Sequence, residues 1–354
     1  MKGQGEKTMT SSRRKSAVLD ADEHPAFQAW REVTPHSAPP TLVEDIQRRR
    51  RSQVYRLQWP GEAGSIIAKR CRRHMTVVEQ TTYSAVLPAA RVRVPVYYGY
   101  LDDVASDPDD PFAWLFIEDL GHRRYSPDDA VQRLRLARWL GSVQATFLGP
   151  EAHHGHTLPV RDAAYYQGYL HRALDELPAL AAERSFSGSL LVLVGAVVSM
   201  LRSLREQWDN VVASFAGIPM TLVHGDCLPK NIHVARGSAG PEVVPIDWGN
   251  AGWGLPGSDL GQSTLLLAET LIGEASYDEY AKALRPVWPE FNTALVQRLA
   301  TLGRLLWSIK VIAMSVPGFQ YDSAVKVEQI LSIYSSVLLT SLRETHWAEF
   351  EGQG

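Results

Sequence analysis

Three polar residues follow one another in the second half of the chain at intervals that suit metal-assisted chemistry. Asp226 lies in the segment "TLVHGDCLPKNIHV", Asn231 follows it by five residues, and Asp247 ends the segment "EVVPID" sixteen residues further on. Carboxylate and amide oxygens are ligands that Mg²⁺ prefers, and a carboxylate can accept the proton of a hydroxyl group. The spacing therefore predicts a site for phosphoryl transfer to a hydroxyl.

Phosphoryl transfer also needs a cation on the phosphates of the nucleotide. Lys69 ends the strand-like segment "IIAK", and Glu79 follows ten residues later in "VVEQTTYSAVL", where the apolar residues have helical spacing. We expect Lys69 to contact the phosphates and both residues to belong to the nucleotide site.

The pattern "HGDCLPKN…IDWG…SDLG" resembles the aminoglycoside phosphotransferase and choline-kinase-like branch of the protein-kinase-like fold. The resemblance runs from about residue 41 to about residue 340. It implies that Asp226 is the catalytic proton acceptor, that Asn231 and Asp247 bind Mg²⁺, and that Asp259 of "SDLG" braces the catalytic loop. His224 is expected to be a packed, hydrogen-bonded residue that supports the loop.

The same resemblance assigns the nucleotide site. It implies that Lys69 and Glu79 form the ion pair that holds the phosphates of ATP or GTP. The segment "LFIEDLG" (115–121) resembles the hinge, where backbone groups near Glu118 to Leu120 would hold the adenine.

The loop that covers the phosphates in such proteins departs from the family pattern. At this place the chain has "QRRRRSQ" (47–53), which contains Arg51 and Ser52 but no glycine. Glycine lets the backbone approach a phosphate closely, whereas an arginine can bind phosphate through its side chain. Two interpretations are open: direct contact of the arginines with phosphate or an anionic substrate, and a solvated turn.

Three further residues also have two interpretations each. Lys230 could reach the transferred phosphate or point to solvent. Trp253 could line the substrate pocket or belong to the core. Cys227, which follows Asp226 directly, is predicted to be a buried apolar residue instead of a reactive thiol.

The elements that must position these residues divide the chain in two. Short segments rich in β-branched and aromatic residues predict strands between residues 41 and 118, with one helix among them, and "PGEAG" (60–64) predicts a hairpin turn. Long amphipathic segments such as 131–147 predict helices after residue 121. The predicted class is α+β, with a small antiparallel β lobe followed by a larger, mainly helical lobe.

The predicted boundaries follow from this change of pattern. We expect a disordered tail over 1–25, a nucleotide-binding lobe over 26–121, a catalytic and substrate-binding lobe over 122–346 and a second tail over 347–354. A cleft between two lobes is the usual place for a small ligand.

Composition excludes several other classes. The chain has 354 residues, 45% of them hydrophobic, and a net charge of −3, so no basic field predicts a nucleic-acid partner. Two cysteines in a chain of this length are typical of a reducing, cytoplasmic compartment.

The first twenty residues lack the apolar segment of a secretory signal. The apolar segment at 190–201 is too short to span a bilayer and predicts a buried helix, so no membrane partner is expected. Nothing in the sequence indicates an oligomeric state.

These observations predict an ATP-dependent kinase that transfers a γ-phosphoryl group to a hydroxyl of a small molecule with Mg²⁺. The expected acceptor is an antibiotic of the aminoglycoside, nucleoside or peptide kind. A metabolite kinase for choline, ethanolamine, homoserine or a sugar is the alternative, followed by a non-catalytic binding protein. Residues 261–354 hold ten acidic and seven basic residues. This small excess supports a weakly cationic acceptor at least as well as a polycationic one.

Overall fold

The computed structural model describes residues 21–61, 64–153, 155, 157–183, 187–237, 240–266, 271–272, 274–319 and 324–345. The chain forms two compact units. The first is the chain up to Thr76 together with Val96–Asp119, and the second is Val77–Pro95 together with the chain from Leu120 onward. The predicted tails therefore lie largely outside the described residues.

The observed division differs from the predicted one in the segment Val77–Pro95, which the prediction assigned to the first lobe. Its packing explains the difference. Tyr83, Val86 and Leu87 are buried, and the main-chain carbonyl of Arg93 accepts a hydrogen bond from Nε1 of Trp139, which belongs to the second unit, at 2.9 Å.

The first unit contains an antiparallel five-stranded sheet, as the sequence predicted. Its strands are β1 (Leu42–Arg49), β2 (Ser52–Gln58), β3 (Ser65–Arg72), β4 (Tyr97–Asp103) and β5 (Phe112–Glu118), in the spatial order β1-β2-β3-β5-β4. Gln58 pairs with Ser65 across the β2–β3 connection, which fits the predicted hairpin, although residues 62 and 63 of its turn lie outside the described part.

The connection between β1 and β2 is shorter than the predicted loop 47–53. Arg49 pairs directly with Ser52, so only Arg50 and Arg51 form the turn, and the rest of "QRRRRSQ" is strand. Antiparallel pairing explains this: it satisfies the backbone groups on both sides of the turn, whatever the polarity of the side chains.

Helix α1 (Pro25–Val33) packs on one face of this sheet and was not predicted. Its apolar residues Phe27 and Trp30 are buried in a cluster with Tyr55, Leu57 and other residues of the sheet. The signals for it were present, because Pro25 occupies the first turn and His24 caps the helix by accepting from the Ala26 N–H at 3.1 Å.

Helix α2 (Arg73–Thr81) connects the two units along the chain. The second unit is mainly helical, with α3 (Ala130–Thr146), α4 (Ala163–Glu183), α5 (Gly188–Glu206), α6 (Trp208–Phe215), α7 (Ser258–Gln262), α8 (Tyr277–Leu284), α9 (Thr293–Phe319) and α10 (Ala324–Glu344). Helix α9 contacts α4, α7, α8 and α10, so it is the central helix of this unit.

Short strands hold the predicted catalytic segment. Strand β6 (Thr221–Val223) pairs with β9 (Gly252–Gly254), and β7 (Ile232–Gly237) pairs with β8 (Gly240–Pro245), while β10 (Leu265–Leu266) pairs with β11 (Leu271–Ile272). The loop that contains Asp226 therefore runs from β6 to β7, and the residues after Asp247 lead from β8 to β9.

Among the residues that the structure describes, two helices are long and apolar enough to cross a membrane by length and composition alone. They are α5, whose apolar window is 33% buried, and the Thr293–Val316 part of α9, which is 83% buried as expected of a core helix. The prediction of a buried helix at 190–201 holds for only one face of α5: Val194, Val197 and Leu201 are buried, but Leu191 and Val192 are exposed.

Candidate active site

A sharp turn directly after β6 begins the catalytic loop, which we define as residues 224–231. Gly225 has φ +73°, and a Cβ there would overlap the main-chain carbonyl oxygen of Asn250. Only glycine combines this left-handed conformation with such close approach at little cost. The turn therefore brings the loop against the segment that follows Asp247.

Asp226 and Asn231 contact each other within this loop. Asn231 Nδ2 donates to Asp226 Oδ2 at 2.9 Å and to the Asp226 main-chain carbonyl at 2.8 Å. Lys230 Nζ lies 3.5 Å from the same Oδ2, and the Asp226 side chain keeps 19% exposure. One carboxylate oxygen is thus oriented by an amide while the group stays accessible to a substrate.

Asp259 fixes the backbone of the loop from α7. Its Oδ2 accepts from the His224 N–H at 2.7 Å and from Gln144 Nε2 at 3.0 Å, and its Oδ1 accepts from the Gly225 N–H at 3.0 Å. Burial raises the pKa of the Asp259 carboxyl above its ordinary value, and these donors oppose that rise by stabilising the charged form. The role of Asp259 as a brace of the catalytic loop stays a prediction, which these three contacts support.

His224 connects the loop to the strand end that carries Asp247. Its Nδ1 accepts from the Asp226 N–H at 3.3 Å, so Nε2 carries the proton that is donated to the Ile246 carbonyl at 2.8 Å. The imidazole also packs on the Trp248 ring, with the ring centres 4.5 Å apart. His224 is fully buried, and its role as a support of the loop stays a prediction.

Asp247 adopts a left-handed backbone conformation, with φ 69° and ψ 58°, just before the short 3-10 helix Trp248–Asn250. Asp tolerates this region better than most residues, and such residues cluster at functional sites. The Ile246 N–H donates to the Asn231 carbonyl at 2.8 Å. The backbone beside Asp247 is thereby tied to Asn231, the other predicted metal ligand.

The oxygens of this site fit Mg²⁺. With Nδ2 of Asn231 donating to Asp226, no hydrogen bond from the described residues reaches Asn231 Oδ1, which leaves that oxygen for a cation. Within the described part of the chain no group of three or more His, Cys, Asp or Glu residues could hold a metal. Mg²⁺ commonly binds through one or two side chains, with phosphates and water completing its shell.

The first unit carries three of the predicted nucleotide-binding residues. Lys69 lies on β3 between Val54 and Leu115 of the neighbouring strands and is 8% exposed. Glu118 ends β5, where its side chain accepts from the Val96 N–H at 3.0 Å. Ser52 begins β2 and accepts from Gln47 Nε2 at 3.5 Å.

Glu79 and Leu120 belong to the second unit. Glu79 is 1% exposed on α2, which is unusual for a carboxylate and indicates a specific role. Its pairing with Lys69, like the hinge role of Glu118 and Leu120, stays a prediction.

The residues with two interpretations differ in exposure. Arg51 lies exposed in the β1–β2 turn, and its carbonyl accepts from Cys71 Sγ at 3.3 Å. The Lys230 side chain is 60% exposed. Trp253 is buried, and its ring stacks on His153 with the centres 4.3 Å apart, as in a core residue, so its contact with substrate stays a prediction.

Several residues of the site were not predicted from the sequence. Gln262 Oε1 accepts from the N–H of buried Cys227 at 2.8 Å, and its position three residues after Asp259 on α7 was a signal that could have revealed it. Lys310 Nζ donates to Asn250 Oδ1 at 2.8 Å, and Arg161 donates to the Asn250 carbonyl at 3.1 Å. No local pattern marks these two cations, because they come from distant parts of the chain.

Comparison with known proteins identifies the family and the fold of this chain. The phosphotransferase enzyme family matches residues 43–292, whereas no curated protein matches the chain. The fold is similar to that of an aminoglycoside 2'-phosphotransferase-IIIa solved with GDP, at 13% identity and a TM-score of 0.58, over 90% of this chain and 98% of that one. It is also similar to a Plasmodium vivax ethanolamine kinase, at 13% identity and a TM-score of 0.57, over 85% and 82% of the two chains.

A microcompartment-associated aminopropanol kinase is a third similar structure, at 14% identity and a TM-score of 0.54, over 90% of this chain and 96% of that one. Identities this low show the fold alone, and they confirm the predicted protein-kinase-like architecture. The family match covers more than half of the chain. This chain therefore belongs to the phosphotransferase enzyme family and is a phosphotransferase with an alcohol group as acceptor.

Proposed function

We propose that this protein transfers the γ-phosphoryl group of ATP or GTP to a hydroxyl of a small molecule in the cytoplasm. The observation that carries this proposal is the contact of Asn231 Nδ2 with Asp226 Oδ2, 2.9 Å apart, in a loop braced by buried Asp259. It orients a carboxylate that a hydroxyl can reach. The proposed Mg²⁺ ligands are Asn231 in the same loop and Asp247, whose neighbour Ile246 donates its N–H to the Asn231 carbonyl.

In this proposal Asp226 accepts the hydroxyl proton as the acceptor oxygen forms its bond to the γ-phosphorus. The bond from that phosphorus to the oxygen bridging to the β-phosphate breaks, and the nucleoside diphosphate leaves with the bonding electrons. Asn231 and Asp247 would hold Mg²⁺, which neutralises charge on the phosphates when bound. Asn231 thus has two proposed roles: its amide nitrogen orients Asp226, and its amide oxygen would bind the cation.

We assign each part of the nucleotide to residues that the family resemblance names. We assign the phosphate contact to Lys69, supported by Glu79, and the contact with the base to backbone groups from Glu118 to Leu120. Ser52 and Arg51 at the β1–β2 turn are candidates for further phosphate contacts. A turn of two residues favours phosphate binding by side chains over binding by backbone N–H groups, since the latter needs several consecutive N–H groups.

The charges near Asp226 limit the charge that the acceptor molecule can carry. Lys230 Nζ lies 3.5 Å from the Asp226 carboxylate. Lys310 is also near, since the charge of Asp226 acts to raise the pKa of Lys310. Two cations beside the reacting group repel a polycation. We therefore infer an acceptor with at most one positive charge, such as a nucleoside or peptide antibiotic. The same observation supports a metabolite kinase as the second candidate function, since choline, ethanolamine and homoserine meet this limit.

Transfer from labelled ATP and GTP to a panel of acceptors tests the proposal. The panel should contain aminoglycosides, nucleoside and peptide antibiotics, choline, ethanolamine, aminopropanol, homoserine and sugars, with Asp226→Ala as the inactive control. We expect Mg²⁺-dependent transfer to a neutral or singly charged acceptor. Nucleotide binding without transfer to any acceptor would favour a non-catalytic binding protein, and failure of Mg²⁺-dependent binding as well would refute the proposal.

A further inference from the structure

Two buried cations converge on Asn250, the last residue of the 3-10 helix after Asp247. Lys310 on α9 donates from Nζ to Asn250 Oδ1 at 2.8 Å. Arg161, which precedes α4, donates to the main-chain carbonyls of Asn250 at 3.1 Å and Ala251 at 3.2 Å. We call Asn250, Lys310 and Arg161 the Asn250 clamp.

Asn250 lies between the two loops that carry the chemistry. It follows Asp247 by three residues within one helical turn. Its carbonyl oxygen also lies so close to Gly225 that no Cβ would fit there. A shift of Asn250 would therefore displace the backbone beside both Asp226 and Asp247.

Burial of the two cations of the Asn250 clamp lowers the free energy of unfolding. Lys310 is 5% exposed and Arg161 is 9% exposed, and neither forms an ion pair with a carboxylate in the part of the chain that the structure describes. The Tyr165 ring faces both cations, with Arg161 Cζ at 4.3 Å and Lys310 Nζ at 5.9 Å from its centre. Burying two cations without a paired anion opposes folding. Packing alone would be served better by apolar side chains at these positions.

We propose that Lys310 and Arg161 are positioning residues that hold the Asp247 segment against the catalytic loop through Asn250. This inference rests on the proposed function, in which Asp226 and Asp247 must keep a set separation during transfer. It assigns no contact with substrate or nucleotide to either cation.

The electrostatic surroundings support this assignment. Burial, together with the neighbouring charge of Arg161, lowers the pKa of Lys310 to about 7, although Asp226 and Asp259 oppose the shift. The carboxylates of Asp226, in the catalytic loop, and of Asp259, on α7, thus both act on the Lys310 ammonium group. The clamp is coupled to the catalytic loop by charge as well as by contact.

The test compares Lys310→Met, Asn250→Ala and the double variant in the full chain, with Lys310→Arg to restore the donor and Lys282→Met as control. Lys282 is an exposed lysine of α8 that forms ion pairs with Asp278 and Glu279. Its loss removes one surface charge and two exposed ion pairs, which contribute little to stability. Amide hydrogen exchange is followed in peptides that cover residues 224–231 and 246–254.

We expect Lys310→Met to speed exchange in both segments about tenfold, the size expected for loss of one charge-assisted hydrogen bond. The melting temperature should not fall below that of Lys282→Met, because a buried cation is removed. Asn250→Ala should act similarly and the double variant should add little, whereas Lys310→Arg should recover part of the protection. Unchanged exchange, or fully additive effects, would overturn the clamp.

Kinetics separate this inference from the proposed function. If the wild-type protein transfers phosphate, Lys310→Met should lower kcat more than it raises the KM of the acceptor. If the wild-type protein transfers none, the proposed function fails, but hydrogen exchange still decides whether Lys310 holds the two loops.

Discussion

Asn231 binds Asp226 twice, through the carboxylate Oδ2 at 2.9 Å and through the main-chain carbonyl at 2.8 Å. Both bonds come from the same amide nitrogen, so the carboxylate cannot rotate without losing one of them. The rotamer that a hydroxyl substrate would meet is therefore fixed before substrate binds, which is the kind of preorganisation that lowers the barrier to transfer.

Replacing Asp226 by Asn tests its role as proton acceptor. The amide keeps the size of the carboxylate but is a poor base, so we expect kcat to fall by about 10²–10⁴-fold, the usual contribution of general-base catalysis. Nucleotide affinity, measured by titration calorimetry, should change little. Asp278→Asn, at an exposed carboxylate of α8, is the matched control. Transfer at the wild-type rate would show that another group takes the proton.

Replacing Asp259 by Asn tests the brace of the catalytic loop. All three groups that contact this carboxylate are donors, so an amide NH₂ must oppose at least one of them. We expect a loss of about 2–4 kcal/mol in the free energy of unfolding, measured in urea. Asp129 caps α3 by accepting from Val131 and Gln132, and Asp129→Asn should cost less than about 0.5 kcal/mol because Asn caps equally well. Equal losses in the two variants would contradict the special role of Asp259.

Gly225→Ala separates crowding from backbone strain. Gly217 has nearly the same φ, +72° against +73°, but nothing lies within 4 Å of its hypothetical Cβ. Gly217→Ala should therefore cost only the strain of a left-handed alanine, about 1 kcal/mol. Gly225→Ala should destabilise more and also reduce kcat, since Asn250 has to move. Similar melting temperatures and activities for both variants would show that the contact with Asn250 is loose.

The lowered pKa of Lys310 predicts a pH-dependent stability. The unfolded lysine keeps its proton up to about pH 10.4, whereas the folded one releases it above about pH 7. Between these values the unfolded state binds more protons, so rising pH stabilises the fold. We expect the wild-type protein to gain stability relative to Lys310→Met as the pH rises from 7 to 10, by at most about 5 kcal/mol. Urea unfolding of both proteins across this range measures it, and other titrating groups cancel in the difference. A constant difference would show that Lys310 keeps an ordinary pKa.

Local sequence patterns were sufficient for the parts of the site that lie on one short segment. Asp226 and Asn231 are five residues apart, so the loop geometry alone brings them together. The strands of the first unit were also predictable, because their enrichment in β-branched and aromatic residues is a local property of the sequence. Helix α1 was not predicted, although Pro25 and the helical spacing of the apolar residues Phe27 and Trp30 were visible in the sequence.

The sequence by itself determined the antiparallel β part, the mainly helical part, the order of the polar residues and the kind of chemistry they favour. Only the tertiary structure decided which residues support them: Gln144 from α3 and Asp259 from α7 meet at the backbone of His224, and Lys310 and Arg161 meet at Asn250. The physical reason is that a buried polar group must find its partner wherever packing brings one. Such a partner carries no signal in the spacing of neighbouring residues.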